Sequence, residues 1–241
     1  MKQSPLVSVI VPFYNPGERL RTALQSIADQ SYAHFEVIAI NDGSTDDSDQ
    51  ILGAFPNVRY LKQSNRGPSA ARNLGICNAS GEFIAFLDAD DYWPENKLQQ
   101  QLYHFEKNDD LQIVTGLVEF TGSNFEKNSE HYNFKYKENR TVHAHLGAGL
   151  FRRTAFDRIG LFDEQMRFSE DIDWYNRAKE NNLAIKVVEE VSLYLTIHEH
   201  SLTHGSSVHT NGTFQAIKQS LDRRRKLGVK ELHTLSEYVK K

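Results

Sequence analysis

The chain has a single cysteine, Cys77, so no internal disulfide can form and a reducing compartment suits it. No apolar run approaches the length of a membrane span. The first run, Leu6 to Pro12, is too short for the core of a signal peptide and lacks a small-residue cleavage site. There is no excess of basic charge: the net charge is −4 over 241 residues, which argues against nucleic acid as a partner. Internal repeats and low-complexity tracts are missing as well. These absences lead us to expect a soluble, cytoplasmic protein long enough to bury a sizeable core.

Two phosphate-binding signatures are also absent. A G-x-G-x-x-G turn would follow the first strand of a dinucleotide-binding unit, but that place holds Pro12-Phe13-Tyr14-Asn15-Pro16-Gly17. No G-x-x-x-x-G-K-[ST] loop occurs, which excludes a P-loop nucleotide hydrolase. Any phosphate must then be met by a metal ion and scattered basic groups. Lys62, Arg66 and Arg72 are the candidates. A solvated surface charge is the plainer reading of each, least so for Arg72, which sits among Ala70, Ala71, Asn73 and Gly75.

What is present is an alternation of strands and helices over the first ~110 residues. Strands are predicted at 6–11, 35–40, 58–62 and 83–87. Helices are predicted from Asn15-Pro16-Gly17-Glu18, with Asn15 as N-cap, from 44–48, from Gly67-Pro68 and from Pro94. Such a pattern implies a mostly parallel sheet with helices on both faces, whose ligands bind beyond the carboxyl ends of the strands. Three polar clusters fall at those ends: Pro12 to Asn15, Asn41 to Ser44, and Asp88-Ala89-Asp90-Asp91. Asp88 and Asp90, two apart at a strand end, are expected to point the same way and to suit Mg²⁺ or Mn²⁺. The plain alternative is a polar loop in which Asp90 or Asp91 caps the next helix.

The second half is less regular. A strand is predicted over 113–120, a loop or weak hairpin over 121–140, and a short helix over Arg153–Ile159 ending at Gly160. A further helix opens at Glu170-Asp171. Strand-like runs follow at 184–189 and 192–198, then a loop over 199–213. Trp174 and Tyr175 read as packing residues. His200, His204 and His209 are close in sequence, but without cysteines or a tight spacing they do not make a zinc site. From residue 215 the tail holds eight Lys/Arg against three Asp/Glu and reads as a basic amphipathic helix with a break at Gly228. It either packs on the domain or contacts an anionic membrane.

The order Ser8-Val9-Ile10-Val11-Pro12-Phe13-Tyr14-Asn15, Asn41-Asp42-Gly43-Ser44-Thr45-Asp46, Asn65-Arg66-Gly67-Pro68-Ser69-Ala70-Ala71-Arg72-Asn73 and Phe86-Leu87-Asp88-Ala89-Asp90-Asp91 resembles the family-2 glycosyltransferases. Leu150 to Arg153, Ile159 to Asp163, and Ser169-Glu170-Asp171 with Arg177 extend the resemblance to about residue 200. It implies the GT-A fold, with a Rossmann-like, mostly parallel nucleotide-binding half over 1–110 and a smaller mixed α/β acceptor half over 111–213; the basic helical extension over 214–241 lies beyond the resemblance. It implies an inverting, metal-dependent enzyme that moves a sugar from a nucleotide diphosphate donor to a hydroxyl of a glycan or lipid-linked acceptor. Pro12 and Tyr14 would flank the nucleotide base, and Asp42 would accept from it, favouring uracil. Arg72 would face the base or the phosphates. Asp88 would lie near the ribose and metal, with Asp90 a direct metal ligand. Asp171 would be the catalytic base and Glu170 its companion, with His198 closing the metal site. Thr196 stands where many relatives carry an arginine. A sugar-phosphate nucleotidyltransferase would want a Gly-rich, Arg-bearing first loop, and a haloacid-type phosphatase would carry its aspartates on the first strand. A catalytically inactive nucleotide-sugar or glycan-binding module is the remaining alternative.

Overall fold

The computed structural model describes residues 4–122, 139–142, 144–166, 168–198, 206–229 and 235–238. The first strand, β1 (Val7–Phe13), leads to α1 (Arg19–Ala28), β2 (Phe35–Asn41), a short α2 (Ser48–Leu52), β3 (Val58–Lys62), α3 (Pro68–Asn78), β4 (Phe83–Phe86) and α4 (Lys97–Lys107). Then come β5 (Leu111–Thr121), β6 (Arg140–Thr141), β7 (Gly149–Arg152), α5 (Arg153–Ile159), α6 (Glu170–Glu180), β8 (Ala184–Thr196) and α7 (Ser206–Leu227).

The strands form one sheet in the order β3-β2-β1-β4-β7-β5-β6, with β8 also paired to β5. β1 is parallel to β2 and β4, and β2 is parallel to β3. β7 runs antiparallel between β4 and β5, and β8 runs parallel to β5. The sheet order reverses at β1, which opens a crevice beyond the carboxyl ends of β1 and β4.

Burial on both faces explains the continuous apolar runs. On one side Val7, Val9 and Val11 pack with Leu20 and Leu24 of α1 and Leu98 and Leu102 of α4. On the other, Ile10, Ile38 and Ile40 pack with α3, α5 and α6, including Trp174 and Tyr175, which are fully buried. α3 sits so close to the sheet that a Cβ on Gly75 would meet Ile10 Cγ2 at 2.5 Å.

A row of side chains in and just before α4 ties it to the start of β7 and the residues before it. Trp93 Nε1 donates to the Gly147 carbonyl (2.8 Å), Gln101 Nε2 to Ala148 (2.8 Å) and Lys97 Nζ to Gly149 (3.0 Å). Lys97 is completely buried and lies 4.1 Å from the centre of the Trp93 ring. Burial pushes its ammonium well below the ordinary lysine range.

Several boundaries differ from those expected: α4 begins at Lys97 rather than at Pro94, and β5 at Leu111 rather than at 113. α1 begins at Arg19 rather than at Pro16. Asn15 takes a left-handed φ of 48° and turns its side chain to the neighbouring loop, so it does not cap its own helix. The two runs expected over 184–198 are one strand whose register slips against Leu117 of β5. α7 begins at Ser206, inside the expected 199–213 loop, and so runs through the boundary drawn at 213/214. Its early Ser, Thr, His and Gly carry no apolar period from which a helix could be read. It ends at Leu227, with Gly228 at φ 71°. The loop or hairpin expected at 121–140 lies mostly outside the described residues, as do 199–205.

Candidate active site

The loops after β1 and β2 are joined by side chains. Asn15 Oδ1 accepts from Thr45 N (2.8 Å) and Asp46 N (3.3 Å), while Asn15 N donates to Ser44 Oγ (2.9 Å). Gly17 N donates to Asp46 Oδ2 (2.9 Å). Pro12 is buried at the end of β1, and Tyr14 stands 54% exposed beyond it. Asp42, buried at the end of β2, organises the turn before α3. Its Oδ1 accepts from Gln63 Nε2 (2.8 Å) and Arg66 N (2.9 Å), and its Oδ2 from Gly67 N (2.8 Å).

α3 then presents three side chains at helical spacing to the segment that leads into α6. Ser69 Oγ donates to the Met166 carbonyl (3.2 Å). Asn73 Nδ2 donates to the Phe162 carbonyl (2.9 Å) and its Oδ1 accepts from Phe162 N (3.0 Å). Between them the buried Arg72 spans the two halves of the chain. Its Nη2 donates to Asp88 Oδ1 (2.7 Å) and its Nη1 to Glu170 Oε1. Burial alone would lower the guanidinium pKa; Asp88 and Glu170 outweigh it and hold the charge firmly. The Asp88 carboxyl, which burial would raise, is held below its usual range by Arg72 and then His145. The other two basic candidates are exposed and paired elsewhere, Lys62 with Asp49 (3.2 Å) and Arg66 with Glu164 (2.6 Å).

The acidic stretch after β4 is arranged differently from the expected alternation. β4 ends at Phe86, and Asp91 N donates back to the Asp88 carbonyl (3.1 Å). A turn replaces the extended backbone on which period-two reasoning relies, so the first and fourth residues meet. Among the described residues, Asp88, Asp91 and His145 form a group whose donor atoms all lie within 4.8 Å of one another. Asp90 pairs instead with His198, whose Nε2 lies 2.9 Å from Asp90 Oδ2. Asp91 is buried, and its Oδ1 accepts from Thr196 N (2.9 Å). Burial first, then Asp90 and Asp88, push its carboxyl well above the usual range.

His145 has no ligand-like spacing to any other candidate, and nothing in the sequence singles it out. Its Nδ1 accepts from Gly147 N (3.1 Å), so in the neutral ring the proton sits on Nε2. That atom lies 4.0 Å from both Asp88 Oδ2 and Asp91 Oδ2. Coordination through Nε2 would require that proton to move to Nδ1, at the cost of the bond from Gly147 N. Converging carboxylates beside a second histidine nonetheless fit a hard divalent cation. His200 and His204 lie outside the described residues, and so does the His209 side chain.

Glu170 and Asp171 open α6, where the helix N-terminus favours negative charge. Ser169, just before them, takes a left-handed φ of 62°. Asp171 Oδ1 accepts from Ile172 N (2.7 Å). Burial first, and Glu170 second, push the Asp171 carboxyl up to about 7. A carboxylate poised there can take a proton from a hydroxyl near neutral pH.

A sheet of this order, with its polar loops at one end and an acid turn after β4, is the GT-A fold. The sequence matches the family model for glycosyl transferase family 2 over residues 8–160, more than half of the chain, and the chain belongs to that family. It is 34% identical over 191 residues to the minor teichoic acid biosynthesis protein GgaA of Bacillus subtilis, covering 71% of this chain and 43% of that protein. It is also 34% identical over 161 residues to the glycosyltransferase GlyA of Streptococcus pneumoniae, covering 65% of this chain and 21% of GlyA. The chain thus spans less than half the length of these relatives. Among solved structures, S. aureus TarS 1-349 in complex with UDP-GlcNAc superimposes with a TM-score of 0.72 at 24% identity, over 89% of this chain and 65% of that one. The mannosyltransferase PcManGT from Pyrobaculum calidifontis, solved with GDP-Man and Mn²⁺, gives a TM-score of 0.72 at 18% identity, over 92% of this chain and 65% of that one.

Proposed function

We propose that the chain is an inverting transferase that moves a sugar from a UDP-linked donor to a hydroxyl of a glycan or lipid-linked acceptor. One observation carries this reading beyond family membership. Arg72 joins the acid turn after β4 to the carboxylates that open α6, next to a base poised near neutrality.

On this reading residues 1–110 hold the donor, with Pro12 and Tyr14 flanking the base. Asp42 Oδ2, which accepts one bond from Gly67 N, would take a second on its other lone pair from the N–H of uracil. Residues 111–213 hold the acceptor. Asp90 with its partner His198, and Asp88 with Asp91 beside it, would hold Mg²⁺ or Mn²⁺, which when bound would supply Lewis acidity to a leaving diphosphate. Asp171 takes the proton of the attacking hydroxyl, and Glu170, fixed by Arg72, keeps the start of α6 in place. Attack by a hydroxyl activated on the side away from the leaving group inverts the anomeric carbon. Of the solved fold relatives, TarS is described with UDP-GlcNAc and PcManGT with GDP-Man and Mn²⁺, which supports a nucleotide sugar as the donor class.

The test is a thermal-shift screen of nucleoside diphosphates and nucleotide sugars, with and without Mn²⁺. Stabilisation by uridine compounds that depends on the metal is expected. Equal stabilisation by guanosine compounds would sink the uracil assignment, and no stabilisation by any nucleotide would sink the donor reading.

A further inference from the structure

Among the described residues, α7 is fastened to α6 along one side. Gly212, Ala216 and Ser220 are buried, and Ser220 Oγ donates to Glu180 Oε1 (2.5 Å). Arg223 reaches both Glu180 (Nε to Oε2, 2.6 Å) and Asp173 (Nη1 to Oδ1, 2.8 Å) of α6. These contacts fix which side of the helix faces outward.

That outer side carries Phe214, Ile217 and Leu221, which are 65%, 45% and 42% exposed. Their spacing of three and four residues makes one stripe. Lys218 and Arg225 are exposed one turn beyond Phe214 and Leu221, along the same stripe. Arg225 touches only its own helix, through Asp222 (3.3 Å), in the pairs found among the described residues. In a chain of net charge −4, an apolar stripe edged by cations is a local exception.

We propose that this face of α7 docks on an anionic lipid surface. Phe214, Ile217 and Leu221 enter the boundary between headgroups and acyl chains, and Lys218 and Arg225 meet the lipid phosphates. A second copy of the chain fits less well, because a two-fold pairing through this face sets the same cations near one another.

The inner side of the helix reaches the residues just before the acidic pair that opens α6. A Cβ on Gly212 would meet Phe168 Cβ at 2.9 Å and Ser169 Oγ at 3.1 Å, and Thr213 Oγ1 lies 3.4 Å from Ser169 Oγ. Ser169 directly precedes Glu170 and Asp171. A docked membrane would lie about one helix diameter, on the order of 10 Å, from that contact. An acceptor embedded in the same lipid surface follows if the transferase reading holds; the docking itself does not depend on it.

The experiment is flotation of the 241-residue chain with vesicles of phosphatidylglycerol and phosphatidylcholine, against vesicles of phosphatidylcholine alone. Binding to the anionic vesicles only, weakened by salt, is expected. Lys218→Glu and Arg225→Glu should each reduce it about fivefold or more, and the Ile217→Ser/Leu221→Ser double variant should abolish it. Unchanged circular dichroism and an unchanged thermal shift with nucleotide would show that the variants fold. Three outcomes overturn the proposal: no flotation at low salt, flotation indifferent to these substitutions, or a dimer in sedimentation that the double variant dissolves. Loss of sugar transfer with flotation intact would count against the transferase reading alone.

Discussion

Burial and Glu170 make the charged form of Asp171 costly, and that cost suits it to the proposed role of base. With the carboxyl at about 7, transfer should rise about tenfold per pH unit below neutrality and level off above it. A profile flat from pH 5 to 8 would remove Asp171 from the role. Asp171→Asn should lower turnover by roughly 10²–10⁴-fold while leaving donor affinity intact, as measured by titration. The same shift has a thermodynamic side. A pKa raised in the fold contributes stability that is complete below the unfolded value near 4 and is lost as pH rises through 7. Asp171→Asn should therefore raise the melting temperature more at pH 8 than at pH 5. Arg72 poses the opposite case. Replacing it with Met leaves Asp88 and Glu170 facing each other without a cation and should cost about 3–5 kcal/mol in urea denaturation. Asp42 and Asp88 could be picked out in the sequence because each follows a strand, and Arg72 because it stands among small residues; Asp171 stood out through the family resemblance, since an acid at a helix start otherwise reads as a cap. Asp91 and His145 could not be paired in advance, since a turn and a distant loop bring them together.

Among the elements, α3 does the joining. Its Ser69, Arg72 and Asn73 hold the segment from Phe162 to Glu170, which explains the polar side chains in the first two turns of this helix. The helix can do so because Gly75 lets it lie close on β1 and β2. Gly75→Ala should push it off Ile10 and cost about 1–3 kcal/mol in denaturant unfolding, despite alanine's better helix propensity. Helix starts were the least legible features. Asn15-Pro16-Gly17-Glu18 has the composition of a cap, yet Asn15 serves the β2 loop thirty residues away in sequence. The beginning of α7 was hidden because its first residues have no apolar period; tertiary contact at Gly212 and Ala216 supplies what local propensity does not.

For the molecule as a whole, the alternation of strands and helices revealed the parallel half because each of its strands is an apolar run between turn signals. The short antiparallel β7 was illegible for the converse reason: four residues with no alternation look the same in a loop or a strand. If the donor and metal bind the native state alone, a ligand at a hundred times its dissociation constant should add about 2.7 kcal/mol of stability, and a chelator should abolish that gain for the metal-dependent part.

The place of β7 in the sheet also bears on how the chain matures. The outer edge of β4 is closed only by a strand made about sixty residues later, and β5 reaches β4 only through it. On a translating ribosome that leaves several seconds in which the emerging β3-β2-β1-β4 array shows a bare hydrogen-bonding margin to the crowded cell. A nascent fragment released after α4 should accordingly associate or recruit a chaperone, and should do so more than a chain released after β8, in which β7 covers β4 and β8 covers the other edge of β5.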